Sequence, residues 1–230
     1  MFENNIKFLS PFLDIEKPIP AKRNIPDWYK KLEHNLGHQT VKGCMPFLDS
    51  LTAGYIIKLP VDLKIRHNVI NPETGFRDGE QVSALKDFQP NVSEIKLNIN
   101  NKLETHQPFQ IDKFVNPWTI QTPKGYSCLF IAPLNNRDDR FEVLSGIVDT
   151  DIHRLPVNFP FIINTDKYPA LNTVIKKGTP IVQVIPFKRD SWVMSIEKQK
   201  DKSYSSEIIK FFTSLIDRYK NNVWQKKKWN

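Results

Sequence analysis

Glycine is scarce in this chain, at 8 of 230 residues against 17 prolines. That balance argues against glycine-rich phosphate loops and for a chain punctuated by rigid turns. Cysteine is rarer still. Cys44 and Cys128 alone cannot build a disulfide framework or a zinc cluster, which suits a reducing compartment. No apolar run approaches the roughly 18–20 residues that span a bilayer, so no transmembrane segment is expected. The opening MFENNIKFLSPFLDIEK mixes charges with apolar residues and lacks a small-residue cleavage site, so no signal peptide is expected either. The expected location is therefore a virion or a host cytoplasm, without secretion.

Arginine is also thin, at 8 against 25 lysines, alongside 24 isoleucines and 19 asparagines. This is the composition of an AT-rich genome and carries no mechanism. Up to Ile185 there are 22 basic against 20 acidic residues; from Pro186 onward there are 11 against 5. The body is nearly neutral and the tail basic, unlike a nucleic-acid-binding face spread over a domain. No membrane or nucleic-acid partner is expected.

Three regions follow. Residues 1–45 read as a proline-rich arm (Pro11, Pro18, Pro20, Pro26) with one short helix, DWYKKLEHNL, capped by Asp27 and stopped by Gly37. Residues 46–190 read as a β domain. It opens on a short helix, PFLDSLTA, stopped by Gly54. YIIKLPVDLKI then reads as a strand broken at Pro60. An inserted hairpin at about 65–110 turns at Pro72–Gly75, with EIKLNIN alternating over Ile95, Leu97 and Ile99. PWTIQTP, GYSCLFIAPL, FEVLSGIVDT, NFPFIINT and PIVQVIPFKR add short β-branched and aromatic runs, a pattern of sandwiches and barrels. Residues 191–230 read as a basic amphipathic helix. Ile208, Phe212, Leu215, Tyr219 and Val223 share a face, and Lys226, Lys227 and Lys228 suit the negative end of its dipole.

The order of motifs in 116–189 resembles the dUTPase/dCTP deaminase superfamily. Pro123, Lys124, Gly125, Tyr126 and Pro133 match its proline–glycine turn and following strand. Gly146, Ile147, Val148, Asp149, Thr150 and Asp151 match its Gly-hydrophobic-hydrophobic-Asp-x-Asp hairpin. Asn164 matches a strand-ending asparagine, and Gly178, Ile181, Val182 and Gln183 match a turn and strand with a central glutamine. The resemblance implies a β-clip, a distorted all-β barrel usually assembled as a trimer. It also implies a chemistry: Asp149 would position water for attack on a nucleoside triphosphate, with magnesium bridging the phosphates. Asp151, Gln183 and Arg137 would serve binding.

The departures are as informative. Leu134-Asn135-Asn136-Arg137 stands where the family has an Arg-Ser-Gly phosphate cradle. Ile152 stands where a stacking ring is expected, with His153 beside it. The tail carries no glycine-rich motif. Each residue also has a plain structural role open to it. Asp149 and Asp151 suit a tight hairpin through side-chain-to-backbone bonds, Gln183 a backbone tether in an apolar strand, and Cys128 a small core position. His34 and His38 have helical metal-pair spacing but no third ligand in sight, and Cys44 has no histidine partner. No metal site and no resident cofactor are expected, and magnesium enters only with a hydrolase.

IPDWYKKL, VKGCMPFLDSLTAGYIIKLPVDL and GTPIVQVIPFKRDSW resemble a family of tailed-phage and bacterial proteins, over most of the chain. That resemblance implies a phage origin and supplies no activity. The expectation is a non-enzymatic, self-associating virion structural protein on a degenerate dUTPase-like β-clip. It would partner itself, as a trimer, and other virion proteins. The alternatives are a dUTP/dCTP-type pyrophosphatase, with Asp149 catalytic beside Arg137, Arg140 or Lys177, and a nucleotide-binding protein.

Overall fold

The computed structural model describes residues 4–12, 14–33, 40–67, 81–84, 112–164, 167–168, 170–198 and 219–230. Thirteen short strands and two short α-helices are present among them. In chain order these are β1 (Lys7–Leu9), β2 (Ile19–Pro20), α1 (Asp27–Lys31), α2 (Met45–Thr52), β3 (Tyr55–Lys58), β4 (Leu63–His67), β5 (Gln81–Ala84), β6 (Asp112–Phe114), β7 (Thr119–Gln121), β8 (Tyr126–Ile131), β9 (Phe141–Val143), β10 (Gly146–Val148), β11 (Phe159–Ile163), β12 (Leu171–Ile175) and β13 (Pro180–Lys188). A 3-10 turn (Ala21–Arg23) and a π-helical turn (Tyr219–Val223) complete the set. The mainly β class expected from sequence is observed.

Four antiparallel sheets form. The largest has the order β10-β8-β13-β3-β2; the others are β1-β7, β6-β11-β9 and β12-β4-β5. The resemblance to the dUTPase superfamily implies a distorted barrel, whereas no closed barrel forms among the described residues. Most strands run three to five residues. Pro60 lies between β3 and β4, and the register shift between Pro180 and Val182 on β13 begins at a proline, which has no N–H to give the ladder.

One apolar core lies between the sheets. Ile57, Leu63, Ile65, Phe130, Phe159, Phe161, Ile163, Val182 and Val184 are buried in it. Phe114 stacks on Phe161 at 3.9 Å and meets Phe141 edge-on at 5.1 Å, the preferred geometries of aromatic quadrupoles. β4 and β5, which overlap the expected insertion at about 65–110, pair antiparallel with Leu63 opposite Ala84 and Arg66 opposite Gln81, and the expected turn at Pro72–Gly75 lies outside the described residues. The remainder of that insertion, including EIKLNIN, lies outside the described residues.

The helices show where sequence signals compete with tertiary contacts. α2 falls within one residue of expectation. Gly54 follows it at φ +66°, and a Cβ there would sit 2.0 Å from the Val184 carbonyl oxygen, so glycine is required twice over. α1 is shorter than DWYKKLEHNL predicts: Leu32 is already extended, before Gly37 is reached. The Lys42 ammonium donates to the carbonyls of Tyr29 (2.9 Å) and Lys30 (3.0 Å), so a distant side chain satisfies the helix end. His34 and His38 lie outside the described residues.

The N-terminal arm lies on its own body. β1 pairs with β7, β2 extends the large sheet at β3, and the Trp118 indole donates to the Glu16 carbonyl at 3.2 Å. The C-terminal helix expected over 191–230 is not seen among the described residues of the tail. Residues 191–198 and 224–230 are non-helical, 199–218 lie outside the described residues, and one π turn closes through the Trp224 N–H on the Tyr219 carbonyl at 2.7 Å. Past that turn the chain folds back onto α2.

Candidate functional site

The Asp-Thr-Asp motif sits where β10 leaves the edge of the large sheet. β10 pairs with β8 (Gly146 opposite Phe130, Val148 opposite Cys128), and the chain then turns sharply. The N–H groups of Ile152 and His153 both donate to the Asp149 carbonyl, at 3.1 and 2.9 Å. Thr150 is fully buried, its hydroxyl 2.7 Å from that of Thr122. The Pro123–Tyr126 turn comes up beside it, with Gly125 at φ +86° where a type II turn demands a left-handed residue.

Arg189, just past β13, organises the motif. Its guanidinium reaches both Asp151 oxygens at 2.5 and 2.9 Å, Asp149 Oδ1 at 3.2 Å, the Ser127 hydroxyl at 3.0 Å and the Tyr126 carbonyl at 2.9 Å. Its own N–H donates to the Gly125 carbonyl at 2.8 Å. The Gly125 N–H donates in turn to Asp151 Oδ2 at 2.8 Å. Hydrogen bonding from Arg189, then from the Gly125 N–H, holds the Asp151 carboxyl well below the usual carboxylate range, and the same pairing raises Arg189.

Two chemically identical aspartates are thereby given different situations. The Asp151 side chain is 3% exposed and its charge is neutralised, so neither oxygen is available as a base. The Asp149 side chain is 51% exposed. Its Oδ1 accepts from Ser127 at 2.6 Å and from Arg189, while Oδ2 has no hydrogen-bond partner among the described residues. One carboxylate oxygen of the motif remains open to water.

The other residues singled out from sequence lie elsewhere. Gln183 is buried on β13 about six residues before Arg189, roughly 20 Å along an extended strand. Its amide donates to the carbonyls of Ser50 (2.9 Å) and Ala53 (2.7 Å), and its oxygen accepts from the Leu134 N–H (2.8 Å). All of its strong hydrogen-bonding capacity ties α2 to the loop after β8. That loop carries the Leu134-Asn135-Asn136-Arg137 run, where the resemblance would place a phosphate cradle. Asn135 adopts φ +55° and donates to the Ser50 hydroxyl at 2.8 Å, and Asn136 donates to the Asn24 carbonyl at 3.3 Å. Arg137 is exposed on it.

Arg140 is fixed on Asp138 through two guanidinium bonds, at 2.6 and 2.9 Å, and on Thr173 of β12. Lys177 donates its backbone N–H to Asp62 at 2.8 Å. Among the described residues, Arg189 is the basic side chain that touches Asp149. Within one chain the structure thus joins Asp149 to Asp151 and Gln183 to the Arg137 loop, and does not join these two groups.

The thiols contribute no nucleophile to this turn. Cys128 is fully buried on β8, and burial pushes its thiol up to about 11, so it stays protonated at neutral pH. Cys44 is exposed before α2. No group of three or more histidine, cysteine, aspartate or glutamate side chains among the described residues is placed to hold a metal ion. No helix among them is long and apolar enough to cross a membrane. Sequence reasoning missed Arg189. Its signal is a single arginine directly after PIVQVIPFK, in a chain with 8 arginines against 25 lysines. Compared with protein-family models and with curated proteins, the chain matches none.

Proposed function

We propose that this chain is a non-enzymatic, self-associating structural protein built on a degenerate dUTPase-like β-clip. The observation that carries the self-association is the segment 190–198. It leaves the body at Arg189 without secondary structure and presents Trp192, Val193, Met194 and Ile196 at 90, 96, 83 and 89% exposure. Four consecutive or near-consecutive large apolar side chains in water are the mark of a docking segment. Burying each contributes about 2 kcal/mol, enough together to offset a large part of the cost of association. Ile147, Ile152 and Leu155, exposed around the edge strand β10 and the Asp149 turn, supply apolar surface near the point where the segment departs. An arm of one copy on the edge of the next is a heterologous contact, and it closes into a ring such as a trimer. The resemblance to tailed-phage proteins is what supports assigning that ring, with other virion proteins, to a phage particle.

Light scattering coupled to gel filtration at micromolar concentration tests the reading. A closed multimer, expected as a trimer, supports it, and a lone monomer overturns it. The open Asp149 oxygen favours one other reading, a nucleoside triphosphate pyrophosphohydrolase using magnesium. Pyrophosphate release across the deoxynucleoside triphosphates decides between them. The structural reading expects none, and release abolished by Asp149→Ala would establish the hydrolase.

A further inference from the structure

The sequence pattern puts Lys226, Lys227 and Lys228 at the solvated end of a helix. The structure instead folds them against α2, where they help enclose a cleft of about 530 Å³. α2 contributes Leu48, Asp49 and Thr52, and the first 3-10 turn contributes Lys22; Trp224, Trp229 and Asn230 complete the walls. Asp49 is the single acidic side chain lining it, against four lysines. Both Asp49 oxygens are already in use, accepting from the Trp224 indole at 3.0 and 3.2 Å and from the Lys227 ammonium at 2.6 Å. Lys22 is held by a neutral group, the Asn230 side-chain carbonyl, at 2.9 Å. Lys226 and Lys228 have no acidic partner among the described residues. Asp49 thus answers one of the four lysines, and no acidic side chain among the described residues answers the other three.

Helix carbonyls do not cancel them. The α2 C-terminus faces this cleft, yet the Ser50 and Ala53 carbonyls are bonded by Gln183, and those of Leu48 and Asp49 by the Thr52 hydroxyl. The aromatic walls are fixed too. Trp229 meets the Tyr55 ring edge-on at 6.4 Å, and the Tyr55 hydroxyl donates to the Asn230 carbonyl at 3.2 Å. Trp224 is pinned by Asp49, with the Lys227 ammonium 5.9 Å from its ring centroid. Preorganised indoles beside unpaired lysines match a ligand that carries both a flat ring and a phosphate.

We propose that this cleft binds a nucleotide unit, with its phosphates on Lys22, Lys226 and Lys228 and its base against Trp229. The site uses elements separate from the Asp149 turn and stands whether or not the chain self-associates. The same chemistry is offered by a free nucleotide and by one residue of a single strand. Calorimetry on the full chain with ATP, with oligothymidylate and with tripolyphosphate separates the sources.

The proposal expects heat with ATP or with oligothymidylate, falling steeply as salt is raised. ATP at least as tight as the strand assigns a free nucleotide, and the reverse assigns a strand. The exposed double change Lys226→Glu/Lys228→Glu is expected to weaken binding tenfold or more, and Trp229→Ala roughly tenfold, with far-ultraviolet dichroism and melting of the lysine variant unchanged. No heat with either nucleotide probe overturns the proposal, as does binding that ignores the charge reversal. Tripolyphosphate binding as tightly as ATP, with no loss on Trp229→Ala, overturns its aromatic half and leaves an anion site only.

Discussion

Truncating Arg189 would leave the Asp151 carboxylate buried with a single backbone donor, an uncompensated charge in a dry site. Arg189→Ala is therefore expected to lower the melting temperature clearly more than Asp149→Ala, because Asp149 keeps its access to water. The acid limb of stability carries the same information. A carboxyl held below its ordinary value stabilises the fold above about pH 4 and loses that contribution as pH falls from there toward its lowered folded-state value. Asp151→Asn should flatten that limb while leaving stability near neutral pH lower than in the parent chain, which thermal melts between acid and neutral pH would show. Glycine supplies a second comparison. Gly54→Ala introduces a backbone clash at a left-handed position and is expected to cost more than about 2 kcal/mol. Gly146→Ala meets open space and should stay within about 0.5 kcal/mol. Equal effects in urea melts would show that the Gly54 approach is not tight.

Gln183 acts between elements. Replacing it with methionine keeps the volume of a buried side chain but orphans the Leu134 N–H and the α2 carbonyls, with an expected loss of about 3 kcal/mol in denaturant unfolding. A smaller loss would mean that water reaches the α2 end. Elements whose signals are local were the ones readable from the chain: α2 between Pro46 and Gly54, and β8, β11 and β13 as apolar runs. β1 and β6 were not, because three residues such as Lys7–Leu9 carry no periodicity and become a strand only when β7 or β11 offers its edge. α1 failed for a related reason: its end is set by Lys42, beyond the reach of any local rule. The aspartate turn was visible as a motif. Its controlling arginine, 38 positions from Asp151, was not.

At the scale of the whole molecule, two irregular segments, the N-terminal arm and residues 190–198, are treated differently. The N-terminal arm, which by composition alone looks made for a neighbour, lays part of its apolar surface on its own sheet: Ala21 is fully buried and Phe8 packs edge-on against Tyr55 at 5.4 Å, while Leu9 and Phe12 stay exposed. The segment 190–198 leaves Trp192, Val193, Met194 and Ile196 in water. Composition cannot distinguish these outcomes, since both segments are short, polar-flanked and irregular, and only the available edges of β7 and β3 decide which is covered. The central claim is that the 190–198 segment is an intermolecular strap. Sedimentation velocity on the intact chain and on a variant with Trp192, Val193, Met194 and Ile196 all changed to serine tests it most directly. The claim predicts a multimer for the parent and a folded monomer for the variant. The same sedimentation coefficient for both would contradict it.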